Sequence, residues 1–554
     1  MSIAAPSTDL APWWRRGVVY QVYIRSFADG SGDGTGDIAG LRSRLNYLAA
    51  LGVDAIWITP WYPSPLHDGG YDVADYRDIC ARFGTLAEAE SLIDEAHELG
   101  IKVLIDLVPN HTSVEHRWFQ AALSAEPGSA ERDRYIFRRG KGPDGSEPPS
   151  NWRSVFGGPA WSRVDDGDWY LHLFDVTQPD LNWENSEVTE EFLDIFAFWL
   201  DRGVDGMRVD VAHGLVKDLT FPDIVKSAEV LTSEQLANHP HWDRDGVHDI
   251  IRSWRSLLDR YDDRMMVAEA WVHPERLPLY LRPDEYHQSF NFDLLDTDWD
   301  ASQFTATIES SAGAAADVGA TTTWVLSNHD VMRHATRYGL PTATPWRRWL
   351  LDGPHDILDA QLGARRARAA ILLTLSLPGA AYLYQGEELG LPEVWDLPED
   401  VLDDPTWVLS EHKVKGRDGC RVPIPWSSSG PSFGFGSAKP WLPQPAGFGA
   451  ISVEAQDDDP SSMLNLYRTA LALRKKWFTE DEDLEMFDVG SDVVAFTRGS
   501  GARCLLNMGD TPVCIDDVEG TVLLSSVRVE TSIEGHLELP ANAAVWLAPI
   551  RTDS

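Results

Sequence analysis

Apolar residues in this chain gather into eight short runs separated by longer stretches with helical spacing. The runs are V-V-Y-Q-V-Y-I-R-S-F (18–27), V-D-A-I-W-I-T-P (53–60), I-K-V-L-I-D-L-V (101–108), V-D-G-M-R-V-D-V (204–211), M-M-V-A-E-A-W (265–271), S-F-N-F-D-L-L (289–295), T-W-V-L-S-N-H-D (323–330) and A-A-Y-L-Y-Q-G-E-E-L-G (380–390). Parallel strands covered on both faces read as near-continuous apolar runs of this kind. Between them, apolar positions three and four apart predict helices over 38–51, 86–99, 187–201 and 461–477. Such alternation predicts parallel β/α units, and eight units fit a (β/α)8 TIM barrel.

The pattern fails in two places. Residues 112–178 are rich in Pro, Gly and Trp with weak periodicity. A connection this long is usually a functional insertion, so a small subdomain over the barrel mouth is expected after the third strand. From 479 to 554 short alternating runs such as D-V-V-A-F-T predict a C-terminal antiparallel β-domain. The expected organisation is a barrel over 1–111 and 179–478, an inserted subdomain over 112–178 and a β-domain over 479–554.

Composition narrows the partners. The chain has 554 residues, and acidic side chains outnumber basic ones 87 to 47, a net charge of −40. A field of that sign repels phosphates, which argues against nucleic acid and anionic membranes. No apolar run reaches the roughly 18 residues of a membrane span. The start, M-S-I-A-A-P-S-T-D-L, lacks a basic lead and apolar core, so a cytoplasmic monomer or small homo-oligomer is expected. Four cysteines, none in a C-x-x-C pair, read as free thiols; Cys504 and Cys514 are the two placed to face each other across strands.

The chemistry concentrates at strand ends. Catalytic groups of a β/α barrel sit at the C-terminal ends of different strands, and four ends here carry Asp106, Asp210, Glu269 and Asp330. Arg208 lies two residues before Asp210, on the same side of the strand. An adjacent guanidinium orients a carboxylate and favours its ionised form, which marks Asp210 as a nucleophile. Glu269 is flanked by Met265, Met266, Val267, Ala268, Ala270 and Trp271. Apolar surroundings raise a carboxyl pKa, as a general acid requires. Two carboxyl groups in opposite environments are what glycoside hydrolysis needs. Asp330 suits stabilisation of a developing oxocarbenium ion, and His111 suits donation to a sugar hydroxyl.

These strand ends resemble the four hallmark regions of the α-amylase family of glycoside hydrolases: D-x-x-x-N-H at Asp106–His111, G-x-R-x-D at Gly206–Asp210, Glu269, and N-H-D at Asn328–Asp330. The resemblance implies a retaining double displacement, with Asp210 as nucleophile, Glu269 as acid and then base, and Asp330 as stabiliser. It implies sugar contacts from Arg208, His111 and His329, and no cofactor for the chemistry. Q-P-D-L-N (178–182), H-D-G-G-Y-D (67–72) and G-R-D-G-C-R-V-P-I-P-W (416–426) resemble the α-glucosidase and oligo-1,6-glucosidase branch. By that likeness Asp68 and Tyr71 bind the terminal glucose of a small oligosaccharide, and Arg417, with Arg421 as second choice, closes the pocket. Val422, Ile424 and Pro425 depart from the branch's usual residues, which leaves the leaving-group side and the preferred linkage open.

The spacing of Asp29, Ser31, Asp33, Thr35 and Asp37, two apart with glycines between, suits oxygen ligation of Ca²⁺ or Mg²⁺. The same branch carries a similar loop, so a structural ion is expected there. Two other functions compete with the α-glucosidase reading. One is a glucosyltransferase or isomerase on the same scaffold. The other is a non-catalytic binding subunit, which the retained carboxylates disfavour.

Overall fold

The computed structural model describes residues 12–224, 239–479, 483–515, 520–531 and 536–549; the segment 1–11, read above for a leader, lies outside them. Eight parallel strands form the central sheet. They are β1 (Val18–Val22), β2 (Ala55–Ile58), β3 (Lys102–Leu107), β4 (Gly206–Val209), β5 (Met265–Ala268), β6 (Gln288–Ser289), β7 (Thr323–Val325) and β8 (Ala380–Tyr384). Their order is β7-β8-β1-β2-β3-β4-β5-β6. The Thr323 hydroxyl bridges β6 and β7, donating to the Ser289 carbonyl at 2.6 Å and accepting from the Asn291 N–H at 3.2 Å. The strands are buried almost throughout, as their sequences required.

Two elements differ from expectation. The sixth run was read as strand over 289–295, but pairing covers only Gln288–Ser289. Asn291 turns the chain into a helix, Phe292–Asp296, by capping the Asp293 N–H with its side-chain oxygen. The expected helix 38–51 is two helices, Ile38–Ser43 and Leu45–Leu51. At the break, Arg44 leaves helical geometry and lays its guanidinium over the Trp426 ring. The helix Leu86–Glu98 starts where the T-L-A-E sequence predicts, with Thr85 and Glu88 forming a reciprocal capping box.

Between β3 and β4 lies a three-stranded antiparallel sheet of Phe137–Arg139, Asp168–Leu171 and Trp161–Arg163. Its own core includes Ile136, Trp152, Trp161, Leu171 and Phe221. The C-terminal region forms a five-stranded and a three-stranded antiparallel sheet. It is fastened to the barrel helix Ala360–Ser376, where Trp546 donates to the Leu372 carbonyl and Arg498 to that of Ser376. Cys504 lies opposite Phe496 and Trp546 in one sheet, and Cys514 opposite Glu538 in the other. The two cysteines therefore do not face each other.

Candidate active site

A cavity of about 750 Å³ opens at the C-terminal ends of the barrel strands. Asp210, Glu269, Asp330, Asp68, Tyr71, His111 and Arg417 all line it. Arg208, His329 and Arg421 are buried immediately behind them, each no more than 3% exposed.

Arg208 organises the floor. Its Nη1 donates to Asp106 Oδ1 at 2.9 Å and also to Asp210 Oδ1, while its Nη2 stands 4.0 Å from Glu269 Oε2. One guanidinium thus serves three carboxyl groups, those of Asp106 and Asp210 buried and that of Glu269 partly open to the cavity. Burial pushes Asp210 well above the usual carboxylate range against the pull of Arg208, and it pushes Glu269 up as well. Arg208 opposes burial at both groups, through a direct hydrogen bond at Asp210 and from 4.0 Å at Glu269. The adjacent Val211 has a backbone φ of 46°, a strained conformation for a β-branched residue. Its N–H donates to Glu269 Oε2 at 2.7 Å. That bond ties the residue after Asp210 to the second carboxyl group and fixes their relative placement.

A continuous relay leads away from Asp106. Trp57 Nε1 and the Tyr71 hydroxyl both donate to Asp106 Oδ2, at 3.1 and 2.9 Å. The Tyr71 hydroxyl lies 2.7 Å from His329 Nε2, and the Gln21 amide donates to His329 Nδ1. That places the imidazole proton on Nε2, facing Tyr71 and Asp330. Tyr71 stacks on His329 with ring centroids 5.3 Å apart and planes 7° from parallel. Burial holds His329 far below its ordinary pKa and lowers His111 to about 4, so both rings are neutral near pH 7.

The other side is closed by Arg417. Its Nη2 reaches Asp68 Oδ1 at 2.7 Å, its Nη1 reaches Asp330 Oδ1 at 3.0 Å, and its Nε donates to Asp404. Arg421 Nη2 donates to the same Asp330 oxygen at 2.9 Å. Burial would raise Asp330, but His329, Arg417 and Arg421 together hold it below the usual carboxylate range. Asp68 has less help: burial raises it to about 6 despite Arg417. Of the two arginines proposed to close the pocket, only Arg417 spans Asp68 and Asp330.

Several supporting residues were not named as site residues from the sequence, although Gln178 opens the Q-P-D-L-N segment noted above. Gln178 donates to Asp68 Oδ2 at 3.0 Å, and Asp404 orients Arg417. Lys217 is buried against Asp180 and Asn110, at 2.8 and 2.7 Å. The aromatic pair Trp271 and Phe292 stacks at 3.8 Å on the cavity wall.

The loop of Asp29, Ser31, Asp33, Thr35 and Asp37 does not line this cavity. Asp29 accepts N–H bonds from Gly32, Asp33 and Gly34, and Asp37 accepts them from Gly30, Ser31 and Gly40. Among the described residues no group of three or more acid, His or Cys side chains converges as a metal site. Asp33 likewise accepts the Thr35 N–H at 2.8 Å, so the loop is held in a tight turn by its own carboxylates.

Residues 21–481 match the family described as alpha amylase, catalytic domain. The chain belongs to the alpha-amylase family. It is 37% identical to a probable alpha-glucosidase of Rhizobium meliloti (strain 1021), over 98% of each chain. It is 36% identical to the oligo-1,6-glucosidase of Parageobacillus thermoglucosidasius, over 84% of each. Among solved structures it resembles the alpha-glucosyl transfer enzyme XgtA, with TM-score 0.84, 35% identity and coverage of 97% and 99%. It also resembles a trehalulose synthase MutB variant, with TM-score 0.85, 30% identity and coverage of 97% and 100%. The chain is a glycoside hydrolase of the glucosidase branch of this family.

Proposed function

We propose that this alpha-amylase family member is an exo-acting, retaining α-glucosidase of short, neutral oligosaccharides. Arg417 carries the exo reading, because its bridge between Asp68 and Asp330 blocks the cavity on the side where a longer chain would continue. One terminal glucose then fits between Asp68, His111 and Asp330. Asp210 attacks its anomeric carbon while Glu269 gives its proton to the departing oxygen. Asp330, kept ionised by two arginines, balances the positive charge that develops on the ring. Glu269 next takes a proton from water, which attacks the same carbon and releases Asp210.

Arg417 is the only Lys or Arg among the described lining residues, and it is engaged by three carboxylates. This disfavours a phosphorylated sugar, although one 34% identical relative is a trehalose-6-phosphate hydrolase of Bacillus subtilis (strain 168). The test is a panel of α-linked glucobioses with proton NMR of the first product. Release of α-glucose from the non-reducing end supports the reading. β-Glucose first, or internal cleavage of long chains, overturns it. A second reading, glucosyl transfer, draws on the apolar wall beyond Glu269.

A further inference from the structure

Arg417 and Arg421 are only as well placed as the turn that carries them. It is a single 3-10 turn, Asp418–Cys420, with Arg417 just before it and Arg421 just after. The chain around it is irregular, neither sheet nor long helix. Bonds at Cys420 tie it to the barrel. The Cys420 carbonyl accepts from Arg333 Nη2 at 2.8 Å and from the Tyr384 hydroxyl at 2.9 Å. The Cys420 thiol is shared between the carbonyls of His329 and Arg417, at 3.3 and 3.1 Å.

Arg333 has no place in the site described so far. It lies three residues beyond Asp330 on the loop after β7, does not line the cavity and is 3% exposed. Its guanidinium donates to two backbone carbonyls, that of Cys420 and, at 2.9 Å, that of Gln385 just past β8. It also lies over the Tyr384 ring, 4.6 Å from the ring centre. A buried cation is costly unless its donors find acceptors, and hydrogen bonds from a charged donor are stronger than neutral ones. Two glycines make room for this arrangement. A Cβ at Gly386 would stand 3.1 Å from Arg333 Nη1. One at Gly419 would collide with Glu393, whose other carboxyl oxygen accepts the Arg333 N–H at 3.0 Å.

The path from Arg333 to the reaction is short. Arg421 follows Cys420 directly; its Nε donates to the His329 carbonyl at 2.8 Å and its Nη2 to Asp330 Oδ1 at 2.9 Å. A closed circuit results, in which Asp330 and Arg333 share one loop and the Cys420 turn leads from Arg333 back to Asp330. We propose that Arg333 is a positioning residue for catalysis, holding the Cys420 carbonyl so that Arg421 meets Asp330 in the orientation the transition state requires. The inference rests on the α-glucosidase reading above. At the other end of the turn Arg417 has its own anchor in Asp404 and its own bond to Asp68. Loss of Arg333 therefore acts on the stabiliser Asp330 more than on sugar binding.

The experiment is a double-variant cycle on maltose hydrolysis by the full chain, with circular dichroism to confirm that each variant is folded. Arg333→Gln should lower kcat about tenfold and leave KM within about twofold, the pattern of a contact that matters only in the transition state. Arg333→Lys keeps the charge and one carbonyl bond, and should restore kcat to within about threefold of the parent. In an Arg421→Lys background the loss on adding Arg333→Gln should shrink to about twofold, because members of one network are not additive. A merely structural arginine would lower the melting temperature but cost the same factor in both backgrounds. Equal losses in the two backgrounds, or a loss carried wholly by KM, overturn the inference. Should Arg333→Gln not fold, Arg333→Lys serves in the same cycle. Maltose hydrolysis by the parent with a failed cycle leaves the α-glucosidase reading standing, whereas no glucose release from any α-glucoside by the parent defeats both.

Discussion

Arg417 and Asp68 are 349 positions apart in sequence, yet their side chains meet at 2.7 Å across the cavity. The same guanidinium holds Asp330 and Asp404. Replacing Arg417 with Ala leaves three buried or half-buried carboxylates short of a partner, and only Asp330 keeps another arginine, Arg421. We expect kcat/KM on maltose to fall about 100-fold, since both a sugar-binding acid and the stabiliser lose their orientation. The ratio of activity on long chains to activity on maltose should rise, because the barrier to chain continuation is gone. Steady-state kinetics on maltose and a soluble starch check both. A ratio that stays constant would refute the closure role.

Glu269 must carry a proton when substrate binds, and burial raises its pKa. The proton is lost as pH rises through that raised value, so the alkaline limb of kcat/KM should fall above the ordinary carboxylate range. In Glu269→Gln the limb should vanish. The residual rate on maltose should drop about 1,000-fold, within the span of lost general acid catalysis. α-Glucosyl fluoride, whose leaving group needs no proton, should lose far less in its glucosylation step. A pH–rate profile on each substrate measures this, and an unchanged alkaline limb in the variant would assign it to another group.

Stability has its own pH dependence. Burial raises Asp68 and Asp106 to about 6, Glu393 to about 7 and Glu387 to about 8. Each pKa lies above its unfolded value, so each of these groups contributes stability that is lost as pH rises through its folded value. Asp330 and Asp404 act in the opposite sense at the acid end, because their pKa values are lowered. Buried histidines also oppose the carboxyl groups: burial lowers His111, His213 and His239 to about 4, so their contribution rises with pH through the unfolded value near ~6.5. Glu387→Gln isolates one carboxyl group: the Tm of the parent minus that of the variant should shrink by about 2–4 °C between ~pH 6 and ~pH 8.5, measured in ~1 M salt where exposed charges are screened. A difference that grows toward pH 8.5 would contradict the burial argument.

The barrel was legible because its strands are buried on both faces and so announce themselves as apolar runs. The cluster of Asp106, Asp210 and Glu269 was legible for a related reason: each sits at or just past the end of such a run, and adjacent strands must bring those ends together. The partners were less so. Gln178, Asp404 and Lys217 come from irregular segments whose spacing carries no period, and only the folded chain shows which carboxylate each one serves. The sixth strand was misread because S-F-N-F-D-L-L satisfies both a strand and a capped helix, and the Asn291 cap decided for the helix.

Lys217 gives a prediction that no sequence pattern offered. Its ammonium is 1% exposed and donates to Asp180, to Asn110 and to the Leu215 carbonyl. Asn110 in turn donates to Asp180 Oδ2 and to His111 Nδ1, each at 3.1 Å. The lysine therefore holds the end of the inserted subdomain against the residue that orients His111. Lys217→Met removes the cation but leaves Asp180 buried, and stranding one member of such a pair costs about 3–5 kcal/mol. The apparent Tm should fall, and KM for maltose should rise about tenfold as His111 loses its support. Pairing Lys217→Met with Asp180→Asn removes both charges and should recover much of the lost stability, while KM stays high because the Asn110 contact is not rebuilt. Thermal melts and maltose kinetics on the single and double variants decide it: a double variant no more stable than the single would show that the ion pair is not what joins the subdomain to the barrel.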